Sequence, residues 1–164
     1  MKDFDWTSFN RKISVKASIS ALYDAWTIPE GLERWFLSNA HYTRSDGSIV
    51  GPRERIHPTD KYKWSWHTWD VVEEGAVLEV NGTDQMSFSF AGTCTVVIKL
   101  EQLQDEVMVT LTQSDIPTDD KSKKDIRLGC FEGWSFYMTN LKSIYEGGLD
   151  LRNMNDDLTG VINS

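Results

Sequence analysis

The sequence predicts an α+β fold, in which one curved antiparallel sheet wraps a long C-terminal helix and two short helices follow the first strand. Three observations carry this. Between about residues 61 and 111, apolar and polar residues alternate with period two, interrupted by tight-turn pairs. After Pro117 the apolar spacing changes to three and four residues. That run then stops at Gly147-Gly148, where glycine takes the left-handed helix cap without strain.

The elements follow in order. Phe9, Ile13, Val15 and Ala17 alternate with Asn10, Lys12, Ser14, Lys16 and Ser18, the pattern of a half-buried strand. Ser18 or Ser20 caps a short helix over residues 19–26, with Leu22, Ala25 and Trp26 on one side. Pro29 suits the first turn of a second helix over 29–37, which buries Leu32, Trp35 and Phe36. Residues 40–58 are weakly patterned, with a turn at Asp46-Gly47 and short strands either side. Tyr62, Trp64 and Trp66 open a strand expected to run to Val72, with the next turn at Glu74-Gly75. Residues 76–80 form a strand that ends at Asn81-Gly82, a hairpin signal. Met86, Phe88 and Phe90 form the next strand, which turns at Ala91-Gly92. Cys94, Val96, Ile98 and Leu100 follow, then Gln104-Asp105, then Val107, Val109 and Leu111. Short spacings and tight turns make this an antiparallel meander with one wet and one apolar face.

The cover for that apolar face is a helix over about residues 120–146. Cys130, Trp134, Tyr137, Met138, Leu141, Ile144 and Tyr145 lie along one side of it. Some 25 residues span roughly 37 Å at 1.5 Å per residue, enough to cross a sheet. Gly129 and Gly133 each cost a helix about 1 kcal/mol against alanine, and they are expected to let a strand or a bulky ring come close. Residues 1–154 read as one domain and 155–164 as a frayed tail in which Leu158, Val161 and Ile162 can dock.

Composition narrows the function. The chain has 164 residues, 40% hydrophobic content and a formal net charge of -8. A domain of this size buries roughly 70% of its unfolded surface and needs neither disulfide nor metal. The acidic balance argues against nucleic acid and anionic membranes, which need clustered Lys and Arg. The one dense basic run, Lys121-Ser122-Lys123-Lys124, has Asp119, Asp120 and Asp125 around it and reads as a solvated helix start. Cys94 and Cys130 read as buried free thiols. No secretory h-region opens the chain and no apolar run is long enough to span a bilayer, so a reducing cytoplasm is expected.

Two strings then resemble a known family. Ile13-Ser14-Val15 with Leu22-Tyr23-Asp24-Ala25-Trp26-Thr27-Ile28-Pro29-Glu30-Gly31-Leu32-Glu33-Arg34-Trp35-Phe36 looks like the opening of the AHSA1-like branch (activator of Hsp90 ATPase homologue) of the START/Bet v 1-like (SRPBCC) superfamily. Gly133-Trp134, Leu141-Lys142 and Glu146-Gly147-Gly148 look like its closing helix. The resemblance covers about residues 9–153. It implies a helix-grip fold with a cavity between sheet and helix, used across the superfamily for lipids, hormones, polyketides and other apolar molecules. The stress-related co-chaperones that name the branch carry an additional N-terminal domain, and none is read in these 164 residues. The resemblance therefore gives action on an Hsp90-type chaperone as the second reading.

The residues point to binding before catalysis. His41, His57 and His67 lack zinc-ligand spacing, and no metal or cofactor is expected. No nucleophile elbow, metalloprotease, nucleotide-loop or dinucleotide motif occurs. Cys130 on an apolar helix face reads as inert packing, and Asp70 and Glu132 as exposed carboxylates. The positive signal is the aromatic load: seven Trp, five Tyr and seven Phe, 12% of the chain. Trp64, Trp66, Trp69, Phe88, Phe90, Trp134, Tyr137, Met138 and Tyr145 are the expected lining of an apolar ligand cavity. The first expectation is thus a small apolar or amphipathic ligand between sheet and helix. An Hsp90-type partner comes second, and a cyclase- or hydrolase-like use of the cavity third.

Overall fold

A computed structural model describes residues 3–162; the first two residues and residues 163 and 164 of the expected tail lie outside the described residues. The chain runs β1 (Phe9–Val15), α1 (Ile19–Thr27), α2 (Pro29–Trp35), β2 (Asn39–Thr43), β3 (Lys61–Trp66), β4 (Trp69–Val80), β5 (Gln85–Phe90), β6 (Cys94–Gln102) and β7 (Val107–Ser114). It ends in a helix built of α3 (Asp120–Ser122), a π-helical segment (Lys123–Leu128) and α4 (Gly129–Tyr145). The seven strands form one antiparallel sheet in the order β1-β7-β6-β5-β4-β3-β2. This is the curved sheet, long C-terminal helix and pair of short helices of a helix-grip fold.

Local chemistry accounts for most boundaries. Ser18 caps α1, its hydroxyl accepting from the Ala21 N–H. Pro29 occupies the first turn of α2, where its missing N–H costs nothing. Asp119 caps α3 through the Ser122 N–H. Gly82, Gly92 and Gly147 all stand at positive φ, in the turns after β4 and β5 and at the end of α4. On β6, Cys94, Val96, Ile98 and Leu100 are buried; on β7, Val107, Val109, Leu111 and Gln113 are.

Four sequence expectations are corrected. The strand opened by Tyr62 stops at Trp66, and the turn falls at His67-Thr68, with Thr68 at φ 59°. Glu74-Gly75 lies inside β4 and is no turn. Gly75 faces Tyr62 across the β3–β4 ladder, and a Cβ there would run into the phenol ring, so this glycine makes room within a strand. The long helix is not α-helical throughout, because residues 123–128 take the wider π winding. Finally, among the described residues no atom beyond the helix's own backbone comes within 4 Å of a Cβ at Gly133, and the nearest to one at Gly129 is the Lys124 carbonyl oxygen at 3.8 Å. Both glycines face open space, and no strand or ring crowds them.

The core lies between the sheet and α4, with α1 and α2 closing one end. Trp26, Trp35, Phe36, Trp64, Phe88 and Trp134 fill it with aromatic rings. Trp134 is 2% exposed, and its ring centroid lies 5.0 Å from Phe36, 5.1 Å from Phe90 and 6.1 Å from Trp26. Its indole N–H donates to Oε1 of the buried Gln113 on β7 at 3.0 Å. The helix is tied to β1 by Lys142, which donates to the Ser14 carbonyl at 2.6 Å, and by Glu146, which accepts from the Lys16 N–H at 2.8 Å. Past the helix, Arg152 donates to the carbonyls of Glu33, Arg34 and Leu37, satisfying the C-terminal end of α2.

Gly75→Ala should destabilise the protein by roughly 1–3 kcal/mol in urea unfolding, the range for overpacking a closed site. Tyr62→Leu in the same chain should recover part of that loss, because the two residues share one contact. Strictly additive losses would show that Tyr62 is not what holds position 75 to glycine.

Candidate functional site

An open cleft of about 390 Å³ with largely aromatic lining lies beside the helix. The helix presents Asp125, Gly129, Glu132, Gly133 and Phe136, steps of three and four that place them on one face. Trp134, Cys130 and Tyr137 complete that wall. Opposite stand Trp66 and Trp69 from the two sides of the β3–β4 turn, with Phe90 from β5 and Phe36 from the end of α2. Val161 and Ile162 from the C-terminal segment edge the mouth.

The walls are built from tertiary packing. Trp66 and Trp69 pair across the tip of the β3–β4 hairpin, with ring centroids 5.3 Å apart. Trp69 is half exposed and Trp66 buried, so the pair runs from core to solvent. Phe36 sits between Trp66 at 5.6 Å and Tyr137 at 4.9 Å and joins the two walls at their base. Gly129 and Gly133 leave the helix backbone bare along the floor. Gly129 has α-region dihedrals, φ -63° and ψ -46°, so its own backbone does not require glycine. What the two missing side chains provide is room.

The predicted lining residues separate into three groups. Trp66, Phe90, Trp134 and Tyr137 meet at the cleft, together with Trp69. Trp64, Phe88 and Met138 lie in the packed core behind it, each 1–2% exposed. Trp64 stacks on Tyr62 at 3.9 Å and donates its indole N–H to the Tyr42 hydroxyl. Tyr145 stands at the C-terminal end of α4, under the Arg34 guanidinium at 4.7 Å. Asp125, Phe136, Val161 and Ile162 were not among the expected lining. The only signal for the first two is helical spacing, Asp125 four residues before Gly129 and Phe136 three after Gly133.

Behind the cleft lies a polar group that the alternation reaches only by extension. Gln113 takes the buried parity of Val107, Val109 and Leu111, and its Nε2 has no hydrogen-bond partner among the described residues. Cys94 and Cys130 are both unbridged. Burial pushes the Cys130 thiol up to about 11 and raises that of Cys94, so neither is poised as a nucleophile at neutral pH. Burial also pushes Tyr137 up to about 12. Glu73 on β4 accepts from the Ala91 N–H at 2.6 Å under the β5–β6 turn, and its carboxyl is raised by partial burial. Asp125 and Glu132 are exposed at the rim. Among the described residues no three His, Cys, Asp or Glu side chains gather as a metal site, and no helix is long and apolar enough to cross a membrane.

Comparison with known proteins adds the family. The sequence model of the activator of Hsp90 ATPase homolog 1-like proteins matches residues 16–146. No curated protein matches the chain. Among solved structures, a protein from Staphylococcus saprophyticus superposes with a TM-score of 0.69 at 20% identity, over 88% of this chain and 96% of its own. The Aha1 dimer from Colwellia psychrerythraea gives 0.64 at 21%, over 86% and 97%. An HSP90 activator from Plasmodium falciparum gives 0.61 at 18%, over 84% and 95%. At these identities the likeness is one of fold.

The raised carboxyl of Glu73 has a sign that can be checked. The folded state holds its proton more tightly than the unfolded chain, whose glutamate titrates near 4.5. Its contribution to stability is therefore full below that value and is lost as pH rises through the folded value. Glu73→Gln keeps the acceptor for the Ala91 N–H and removes the titration. Urea unfolding from pH 4 to 7 should lose one downward component in this variant. An unchanged profile would place the Glu73 carboxyl in a solvent-like setting.

Proposed function

Because the chain belongs to the activator of Hsp90 ATPase homolog 1-like family, we propose that it is a binding module that takes a small apolar or amphipathic molecule into the cleft beside α4. The observation that carries this is the bare helix floor at Gly129 and Gly133 inside a cleft of about 390 Å³. Small-molecule sites run from about 300 to 1,000 Å³ and are mostly apolar and aromatic. Two mid-helix glycines cost about 1 kcal/mol each, and among the described residues no side chain fills the space they leave. An occupant that lies against the helix backbone would. Trp66, Phe90, Trp134 and Tyr137 are its walls in this reading, and Trp64, Phe88 and Met138 support them from behind. Asp125 and Glu132 at the rim favour a ligand whose polar end is neutral or cationic.

A second reading, engagement of an Hsp90-type chaperone, draws on the names of two structural neighbours and on the exposed apolar side chains of β4. Trp69, Val71, Val72 and Leu78 are each between 39% and 55% exposed. It predicts capture of the chaperone and a changed ATPase rate. The cyclase- or hydrolase-like reading gains no support from the cleft, whose carboxylates are exposed to water.

The neutral dye N-phenyl-1-naphthylamine should bind the purified protein with a fluorescence rise, and native mass spectrometry should show one apolar adduct per chain. Gly133→Leu should fill the floor and abolish dye binding. It should also raise helix stability by somewhat under about 1 kcal/mol, since leucine is the better helix former. Dye binding that survives Gly133→Leu undiminished would move the ligand away from this cleft.

A further inference from the structure

We propose that residues 153–162 form a lid at the mouth of the cleft, rooted at Arg152 and ending in Val161 and Ile162, which competes with the ligand for that mouth. The inference rests on the ligand-binding reading above and adds a gate to it.

The root is rigid. The Arg152 side chain is 5% exposed and pairs with Asp150 at 2.7 Å. It donates to the Glu33 carbonyl at 3.0 Å, to Leu37 at 2.9 Å and to Arg34 at 3.0 Å. Buried Asn140 on α4 fixes the approach, donating to Asp150 at 3.1 Å and accepting from the Leu151 N–H at 2.7 Å. The chain is thereby held against α2 and α4 up to residue 152.

Over residues 153–158 the hydrogen bonds are local. Asn155 N–H donates to the Asn153 side chain, Asp157 N–H to the Asn155 side chain and Leu158 N–H to the Asn155 carbonyl. These are short turns that fold the segment on itself. Residues 154–162 are all exposed. The tip nevertheless arrives at the cleft, where Val161 and Ile162 share its lining with Trp69, Gly133 and Phe136. Val161 is 41% exposed and Ile162 is 72% exposed. A segment rigid at one end, bonded to itself in the middle and exposed at the tip belongs to the low end of the local-opening scale.

The tip stands at the mouth, where a ligand lying on the floor would reach out to solvent. Binding then proceeds only from the fraction of molecules with the tip displaced, and the apparent dissociation constant rises by the inverse of that fraction. Cys130, on the same wall, gives a measure of opening that needs no ligand. Cys94 is fully buried and serves as the internal control.

Three proteins test this: the natural chain, a chain ending at Met154, and the full chain with Val161→Asp and Ile162→Asp. The truncation keeps Asp150 and Arg152, so the root remains, and the double substitution keeps the segment itself. The rate of N-ethylmaleimide addition to Cys130, read by peptide mass mapping, should rise several-fold in both variants. The apparent dissociation constant for N-phenyl-1-naphthylamine should fall roughly three- to tenfold in both, scaling with the open fraction. Equal Cys130 rates in all three proteins would overturn the lid. Faster labelling with weaker dye binding would overturn the competition, since the tip would then be part of the ligand's wall. Faster labelling with no dye uptake by any of the three would uphold the lid and sink the ligand-binding reading alone.

Discussion

The placement of Trp134 is the constraint on which the rest of this structure depends. Its ring lies among Phe88 and Phe90 from the sheet and Trp26 and Phe36 from the α1–α2 pair. One side chain therefore joins the three layers that must meet. Its N–H would be costly to bury alone, and Gln113 supplies the acceptor from β7. That bond fixes both the rotation of α4 over the sheet and its position along it. A sliding or turning helix would leave an indole N–H and a carboxamide unpaired in an aromatic core.

The same packing decides the form of the cavity. A helix-grip fold can leave a chamber between sheet and helix, but here that space holds the large rings Trp35, Trp64 and Phe88 beside Trp134. Open space is found instead at the flank, where the β3–β4 hairpin carries Trp66 and Trp69 past the edge of the core. The cleft is thus one end of the aromatic core left open to water. Its walls are rigid where they continue into the core and adaptable where they reach the surface.

Two features keep that end open. The π winding of residues 123–128 sits just before Gly129, and Asp125 within it faces the cleft. Gly129 and Gly133 then omit side chains on the face that the winding presents. A helix optimised for stability would carry alanine or leucine there. The segment past Arg152 returns toward this gap and lays Val161 and Ile162 on its rim.

By itself the sequence determined the elements and their order. Period-two runs in β5, β6 and β7, the Ser18 and Pro29 helix starts and the Gly147-Gly148 stop are local signals, set by backbone geometry and by which face each residue must turn to water. It also named most of the rings that matter. Only the tertiary structure decided which of those rings pack and which border the cleft, because Trp64 and Trp66 share one strand face and differ only in what lies across from them. It decided that Gly75 makes room for Tyr62 inside a strand, where the pair Glu74-Gly75 reads locally as a turn. It decided too that Gly129 and Gly133 look onto open space, and that Gln113 answers Trp134. A missing side chain or a buried amide takes its meaning from a partner distant in sequence, and periodicity along the chain carries no information about that partner.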